Sequence, residues 1–487
     1  MPFDSKHMDE QNKKKEKAVK GVVWSAIERV SVQGVQFVIS VILARLLTPN
    51  DFGLVAIVLV FSTIFQTINE SGFNTALVHK QNRDDLDLST AFITNLAIGI
   101  ISYFILFFSA PLIATFYENE SLVNVIRLCS LSLIFNAFGL IPIAIFTIRV
   151  DFKTQARASF TAAAVSGIVG IIAAYFLKNV YAIAIQHLTM TVIYVSLMWI
   201  FVKYRFSIRF SIERFKSLWN YAYKLTLARL INLIFDDIYS LAIGKLYTPA
   251  QLGFYNRANS FRQVSSKNII NIVQRVSVPL LCENQKNNAA MVRVHLKFMK
   301  TTALIVFPIV TGLMTLANPF IAVLLGVKWL ATADLLLLVC PIEFFYLIST
   351  FNRNIYNATG RTDWALQSEI IKKIFFVIIF FVTLNTSLKF FLGGLILISI
   401  LEMLYDTYFA KKQIGVTLLV QIKTLLPVFI TSFTMCLLVS TVYIISTNIY
   451  FQLFVGVLIG IVSYAVICYC FNIADSRMIV KFILKLK

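Results

Sequence analysis

The chain has 487 residues, of which 58% are hydrophobic and only 14% are charged, and its mean hydropathy is +0.78. Soluble domains carry about 25% charged residues, so this composition excludes an ordinary soluble protein. Lys and Arg outnumber Asp and Glu by 44 to 24, which gives a formal net charge of +20. In a soluble chain that excess would suggest nucleic acid as the partner, but here its distribution along the chain has to be considered first.

Apolar runs of about 20 residues recur from one end of the chain to the other, and a helix of this length crosses a hydrocarbon core of about 30 Å. Backbone groups inside that core must be satisfied within the segment, so such runs become helices. The pattern therefore predicts an all-α polytopic membrane protein. Its fourteen predicted spans are 21–47, 51–78, 88–116, 121–148, 158–177, 180–202, 217–246, 251–282, 298–325, 332–356, 364–385, 388–410, 424–446 and 450–472.

The basic residues fall mainly on one side of the membrane in this topology. An even number of spans places both termini together, and the Lys-rich start indicates that this side is cytoplasmic. The segments then assigned to the inside hold 28 Lys and Arg residues, against 5 in the outward connections and the helix ends beside them. This asymmetry follows the positive-inside rule. The net charge therefore reflects topology and attraction to anionic lipid, and we expect no nucleic-acid partner.

One turn sequence occurs twice, as LLTPNDFG at 46–53 and as LYTPAQLG at 246–253. Each copy predicts a helix start, because a Thr is followed by Pro at the first helical position and by an Asp or Gln three residues after the Thr. Gly53 and Gly253 would then allow neighbouring helices to approach closely. Convergence of two unrelated turns on the same chemistry remains an alternative.

The predicted helices before these turns favour a true repeat over convergence. On a helical wheel Arg29, Gln33, Gln36 and Ser40 fall within an arc of about 60°, and Arg229, Asn232, Asp236 and Ser240 fall within about 80°. Corresponding polar stripes six spans apart indicate parallel repeats related by a two-fold axis along the membrane normal. The domains expected are a basic cytoplasmic start (1–20), an N-lobe of six helices (21–203), a cytoplasmic loop (204–216), a C-lobe of six helices (217–411), two further helices (412–474) and a basic cytoplasmic tail (475–487).

The predicted span 251–282 is the most polar of the fourteen. Within an arc of about 80° it carries Asn256, Ser260, Gln263, Lys267, Asn271 and Gln274, and Arg257, Asn268 and Arg275 form a second row beside them. A charge at the bilayer centre costs about 2.5–3.5 kcal/mol, so this face must line water or protein. A seam of interhelical hydrogen bonds is the structural alternative, although its excess of cations argues against it.

These stripes supply the candidate site residues. We expect cations to bind phosphate or carboxylate, and amides to bind sugar hydroxyls. The candidates for substrate binding are Arg29, Arg229, Arg257, Lys267, Arg275, Gln33, Gln36, Gln263 and Asn271. Glu70 and Asp236 are candidates for coupling to H⁺ or Na⁺, since buried carboxylates have movable pKa values. No catalytic group, metal site or cofactor is expected. The six cysteines are predicted to be buried, reduced thiols. Charges near the inner boundary, such as Lys372 and Asp406, are assigned to snorkelling, and Arg353 among them is a further candidate.

The helix count, the two predicted lobes and the element ARLLTPNDFGLVA resemble the Wzx-type polysaccharide flippases. These belong to the multidrug/oligosaccharidyl-lipid/polysaccharide exporter superfamily, and this chain most resembles its WzxC-like lipopolysaccharide and capsule branch. The resemblance covers essentially the whole chain. It implies a central cavity lined partly by spans 1, 2, 7 and 8. It also implies transport of undecaprenyl-diphosphate-linked oligosaccharide from the inner to the outer leaflet of the bacterial cytoplasmic membrane, for lipopolysaccharide, capsule or exopolysaccharide. The implied partners are membrane lipid, the lipid-linked oligosaccharide, a polysaccharide polymerase and glycosyltransferases.

Two alternatives remain at this point. A drug or metabolite antiporter of the same superfamily would need an acidic, aromatic cavity for organic cations, which the basic stripes do not favour. An integral-membrane enzyme would need a paired acid or a His–acid arrangement at helix ends, and the short loops leave no room for an additional catalytic domain. The sequence does not identify the sugars, the coupling ion or the oligomeric state.

Overall fold

A computed structural model describes residues 31–70, 72–204 and 208–471, with the side chains of Glu70 and Thr362 excepted. Regular structure in these residues is helical, and none of them lies in a strand. The chain forms two compact units, residues 1–253 and residues 254–487, with the boundary inside one helix. The predicted N-lobe and C-lobe are defined by the sequence repeat, whereas the two compact units are defined by contacts. The units therefore do not test the lobe boundaries, which stay a prediction.

The described residues of the first unit form eight helices and the start of a ninth. The described part of α1 is Ser31–Leu46. The helices that follow are α2 (Pro49–Glu70), α3 (Phe73–His79), α4 (Asp85–Phe116), α5 (Ser121–Ile148), α6 (Phe152–Leu177), α7 (Tyr181–Val202), α8 (Ile212–Leu246) and the beginning of α9 (Pro249–Glu283).

In the second unit, the residues up to 471 form the rest of α9 and nine further α-helices. These are α10 (Asn288–Thr315), α11 (Ala317–Leu324), α12 (Ala331–Val339), α13 (Ile342–Ala358), α14 (Thr362–Thr383), α15 (Leu388–Ile414), α16 (Leu418–Ser440), α17 (Val442–Ile445) and α18 (Ile449–Cys470). A short 3₁₀ turn, Val327–Trp329, precedes α12.

In the part of the chain that the structure describes, ten segments, each a helix or two consecutive helices, are long and apolar enough to cross a membrane, so this is a multi-pass membrane protein. They are Pro49–His79, Asp85–Phe116, Ser121–Ile148, Phe152–Leu177, Tyr181–Val202, Asn288–Thr315, Ala331–Ala358, Leu388–Ile414, Leu418–Ile445 and Ile449–Cys470. The other four predicted spans correspond to α1, α8, α9 and α14. All four are helical, but α1 is described only from Ser31, and the other three are more polar. The count of fourteen therefore stays a prediction.

Several predicted spans are broken helices, which the apolar runs did not reveal. The span predicted at 51–78 comprises α2 and α3, and the one predicted at 332–356 comprises α12 and α13. Pro341 lies between α12 and α13, where its missing N–H interrupts a helix. At Gly72 a Cβ atom would lie 2.5 Å from the Cβ of Ala222 on α8. The break after α2 therefore coincides with a close approach between neighbouring chain segments.

The first unit is held together by apolar packing of α2 to α5, α7 and α8. One core cluster includes Phe73, Ala91, Ile141 and Met198, all of them buried. Asparagine side chains tie α2 and α4 to α5, since Asn69 Nδ2 donates to the Leu133 carbonyl at 3.3 Å and Asn95 Nδ2 donates to the Ala137 carbonyl at 3.2 Å. Such bonds satisfy polar groups that would otherwise be costly to bury in the bilayer.

The second unit is built around α13, which packs on α15, and around α16, which packs on α10 and α18. A pair of fully buried amides pins α16 to α13, because Asn352 and Gln421 exchange hydrogen bonds of 3.1 and 3.0 Å. All six cysteines lie in the described residues and are free, but Cys282 and Cys470 are exposed, so the prediction of burial is wrong for these two.

Candidate substrate path

The repeated turn forms the same cap in both copies. At the first, the Thr48 N–H donates to Asp51 Oδ2 at 2.9 Å, and the Asp51 N–H donates to Thr48 Oγ1 at 3.3 Å. At the second, the Thr248 N–H donates to Gln251 Oε1 at 3.1 Å, and the Gln251 N–H donates to Thr248 Oγ1 at 3.2 Å. The two predicted capping boxes are therefore confirmed.

The two turns also touch each other, and we call residues 46–53 together with 246–253 the turn pair. A Cβ atom at Gly53 would lie 1.7 Å from the carbonyl oxygen of Pro249, and one at Gly253 would lie 2.1 Å from the carbonyl oxygen of Pro49. Each glycine thus faces the proline of the other copy. A reciprocal contact of this kind is typical of two copies related by a two-fold axis. The predicted close approach at these glycines is confirmed.

The candidate residues on α1 and α8 are only partly covered by the structure. Arg29 lies outside the described residues, as does the side chain of Glu70. Gln33 is exposed, whereas Gln36 is half-buried and its Nε2 lies 3.0 Å from the sulfur of Met190 on α7. Arg229 and Asp236 are both exposed on α8. Their roles in binding and coupling remain predictions.

The polar residues predicted for 251–282 lie on one continuous helix, α9. We call Asn256, Ser260, Gln263, Lys267, Asn271 and Gln274, with Arg257, Asn268 and Arg275 beside them, the α9 stripe. Lys267 Nζ donates to Gln263 Oε1 at 3.1 Å, and these two side chains and that of Arg257 are half-buried. Asn271 and Arg275 are exposed. At 35 residues and 1.5 Å per residue, α9 is about 52 Å long, which is ample to cross a bilayer.

A buried ion pair on the neighbouring face of α9 was missed by the sequence analysis. Arg262 and Ser266 both bind the carboxylate of Glu343 on α13, and Glu343 is fully buried. Arg262 is also oriented by Asn259, whose Oδ1 accepts from its Nη2 at 2.7 Å. The signal was present, since Glu343 lies near the middle of the predicted span 332–356, where a charged group requires a partner.

A further buried charged cluster lies in the second unit, and we call it the Asp406 network. The fully buried Asp406 carboxylate on α15 accepts hydrogen bonds of 2.8 Å from Lys372 Nζ, Tyr356 OH and Ser368 Oγ. Ser349 donates to it as well. The snorkelling interpretation is therefore wrong for Lys372, which is 4% exposed, and for Asp406.

Arg353 belongs to the same network. Its Nε lies 3.8 Å from Asp406 Oδ2, and its Nη1 lies 3.4 Å from Glu369 Oε1. The network thereby joins α13, α14 and α15. Because its carboxylate has several donors and an adjacent ammonium, it has the properties of a satisfied structural ion cluster.

Outside the membrane-spanning segments, the turn before α4 carries a second group of ion pairs. Asp84 caps α4, and its carboxylate lies 3.0 Å from Arg214 Nη2. The hydrogen bond from the Asp87 backbone N–H, followed by the charge of Arg214, holds the pKa of the Asp84 carboxyl below its usual value. Lys80 and Asp87 form a further pair at 2.6 Å. These contacts fix residues 208–216 against the start of α4.

Comparison with known proteins identifies the family. Residues 42–334 match the family model described as "Polysaccharide biosynthesis protein", which is more than half of the chain. The chain belongs to the polysaccharide biosynthesis protein family. The Teichuronic acid biosynthesis protein TuaB of Bacillus subtilis (strain 168) is 24% identical over 348 residues, 71% of this chain and 72% of TuaB. The Lipopolysaccharide biosynthesis protein WzxC of Escherichia coli (strain K12) is 22% identical over 365 residues, 74% of each chain.

Among solved structures, the Lipid II flippase MurJ in an inward closed conformation has the same fold. The match has a TM-score of 0.74 and covers 93% of this chain and 98% of MurJ at 17% identity. The predicted resemblance to Wzx-type flippases is confirmed by these findings. The family and its structural neighbours are transporters and flippases, in agreement with the prediction that this protein is not an enzyme.

Proposed function

We propose that this protein is a flippase that moves undecaprenyl-diphosphate-linked oligosaccharide from the inner to the outer leaflet of the bacterial cytoplasmic membrane. The observation that carries the proposal is the α9 stripe, a row of amides, hydroxyls and cations on a helix long enough to cross the bilayer. The names of TuaB and WzxC, which refer to teichuronic acid and lipopolysaccharide, support a glycan as the cargo. The flippase fold of MurJ supports transport between leaflets.

The chemistry of the cargo divides between lipid and water. The polyprenyl tail stays in the hydrocarbon, whereas the diphosphate and the sugars need a polar path. Lys267 and Arg275, with Arg29, Arg229 and Arg257, bind the diphosphate, because cations pair with phosphate oxygens. Gln33, Gln36, Gln263 and Asn271 bind sugar hydroxyls. No covalent bond changes.

Transport follows an alternating-access cycle between the six-helix lobes 21–203 and 217–411. Glu70 and Asp236 are the groups proposed to couple it to H⁺ or Na⁺. Both termini lie in the cytoplasm, where glycosyltransferases make the cargo, and a polymerase receives it outside. The product is destined for lipopolysaccharide, capsule or exopolysaccharide.

The test is neutralisation of the proposed cations in the native host. Lys267→Ala and Arg275→Ala, and separately Arg29→Ala and Arg229→Ala, should reduce surface polysaccharide and trap lipid-linked precursor on the inner leaflet, at unchanged protein levels in the membrane. Lys224→Ala is a matched control, because Lys224 is an exposed cation on α8, about 140° around the helix from Arg229.

The outcomes separate the proposal from its rivals. Normal export by all four variants would mean that the stripes are structural and would remove the support for a diphosphate site. Export of organic cations by the wild-type protein, increased when Lys267 is reversed to Glu, would instead favour the antiporter alternative.

A further inference from the structure

A cavity of about 380 Å³ lies where the end of α15 meets the start of α16. Leu404, Tyr408 and Lys411 line it from α15, and Thr417, Leu418 and Leu419 line it from the start of α16. We call this cavity the α15–α16 crevice. Its lining, all of it in the described part of the chain, contains one cation and no carboxylate. It is remote in sequence from the α9 stripe and contains none of the residues assigned to the transport path.

The apolar wall of the crevice continues into surfaces that face away from the protein. On α15, Leu397, Leu404 and Tyr408 are 48%, 42% and 60% exposed and follow one another at intervals of seven and four residues, which places them on one face. On α16, Leu419 is 69% exposed and begins a similar exposed row that continues through Ile422 and Leu426. These two exposed rows meet at the crevice, so an acyl chain can lie along it without leaving the hydrocarbon.

The two adjacent lysines at the end of α15 differ in their surroundings. Lys412 Nζ lies over the ring of Trp364, 5.1 Å from its centroid. Lys411 lines the crevice and is exposed, and within residues 31–70, 72–204 and 208–471 its side-chain ammonium has no hydrogen-bond or ion-pair partner. An ammonium at the mouth of an apolar groove, close to the predicted inner boundary of the membrane, is complementary to an anionic headgroup. Because Lys412 carries the same charge but lies over Trp364, its substitution controls for the loss of one positive charge near the crevice.

We propose that the α15–α16 crevice binds an acidic phospholipid of the surrounding membrane, with its phosphate on Lys411 and an acyl chain against Leu404, Tyr408 and Leu419. A free phosphate ion fits less well, because one exposed ammonium faces it and the remaining walls are largely apolar. The inference concerns a lipid of the bilayer and not the cargo, so it does not depend on the proposed function.

The experiment uses the purified full chain in a mild detergent, with bound lipid counted by native mass spectrometry. The probes are phosphatidylglycerol and phosphatidylcholine with matched acyl chains. The wild-type protein should retain phosphatidylglycerol in preference to phosphatidylcholine. Lys411→Gln should lower phosphatidylglycerol retention about three- to fivefold, as expected for loss of an exposed ion pair, and should leave phosphatidylcholine retention unchanged. Lys412→Gln should retain both lipids as the wild type does.

A second variant tests the groove separately from the charge. Leu419→Trp fills the crevice at an exposed position where the fold tolerates a larger side chain, and it should lower retention of both lipids without changing thermal unfolding. Equal losses in Lys411→Gln and Lys412→Gln, or no preference for phosphatidylglycerol in the wild type, would show ordinary lipid solvation and overturn the proposal. Displacement of the lipid by inorganic phosphate, or preferential displacement by undecaprenyl phosphate, would also overturn it, since the site would then belong to a free ion or to the cargo.

Discussion

The Asp406 network and the α9 stripe both place charged groups on helices of the second unit, yet their surroundings are opposite. Asp406 is fully buried and accepts hydrogen bonds from Lys372, Tyr356 and Ser368. On α9 beyond residue 253, Arg275 and Asn271 are exposed, and Lys267 is half-buried. A buried charge must be matched by protein groups, whereas an exposed one remains available to a ligand. The comparison separates charges that hold the fold from charges that are candidates for transport.

The structural role of the buried charges can be tested most directly at Asp406. Asp406→Ala leaves the Lys372 ammonium buried without its carboxylate, and we expect a loss of about 3–5 kcal/mol in the free energy of unfolding. Thermal unfolding of the purified protein in detergent measures it. The double variant Lys372→Met/Asp406→Leu removes both charges and should recover much of that loss. A single variant as stable as the wild type would show that the network does not hold α13, α14 and α15 together.

Disruption of the neutral buried amide pair Asn352–Gln421 should have an intermediate effect on the free energy of unfolding. Gln421→Leu removes one side of the amide pair and leaves the Asn352 amide with fewer partners, which we expect to cost about 1–3 kcal/mol. Thr407 Oγ1 still accepts from Asn352 Nδ2 at 2.9 Å, which limits the loss. Gln413→Leu, in the half-buried last turn of α15, is the control and should change stability by less than about 0.5 kcal/mol. Equal unfolding temperatures for the two variants would contradict the assignment.

The partly exposed helix cap at Asp84 should contribute less to the free energy of unfolding, and its contribution should depend on pH. Asp84→Ala removes the α4 cap and should cost about 1 kcal/mol. Because the pKa of Asp84 is lowered in the folded protein, its charge stabilises the fold above the unfolded pKa of about 3.9. That contribution is lost as the pH falls through the lower, folded value.

The substitution Asp84→Asn isolates this charge, since Asn also caps helices. The difference in unfolding temperature between wild type and Asp84→Asn should shrink as the pH falls from about 6 to about 3. A difference that stays constant over this range would mean that the ionised form contributes nothing to stability.

At the exposed end of the comparison, Arg275→Ala should change the free energy of unfolding by less than about 0.5 kcal/mol while lowering glycan export. Unfolding and export are measured on the same variant. A destabilisation as large as that of Asp406→Ala would place the α9 stripe with the structural seams and remove the distinction.

Sequence patterns correctly predicted the features that depend on residues close together in the chain. Apolar run length located the helices, and the Thr–Pro–x–Asp or Gln order predicted the caps at Thr48 and Thr248, because both features depend on residues within a few positions of each other. The close approach at Gly53 and Gly253 could be predicted because the same turn sequence occurs twice. The breaks at Gly72 and Pro341 were missed, since hydropathy alone does not distinguish a continuous apolar helix from two consecutive ones.

The Asp406 network was missed for a different reason. Helical periodicity places Lys372 on one face of α14 and Asp406 on one face of α15, but it does not determine which faces of different helices meet. Snorkelling therefore served as the explanation for each charge singly. The α9 stripe could be found because all of its residues lie on one helix, whereas recognition of the network required the packing of three.

The reciprocal contact of the turn pair also limits how chain length can vary in this family member. Each glycine faces a backbone oxygen of the other copy, so both turns must keep the same number of residues before their glycines. One inserted residue would rotate the following positions by about 100° and bring a side chain against that oxygen. Insertions and deletions should therefore accumulate in the connections between the two turns, while the turns themselves keep a fixed length.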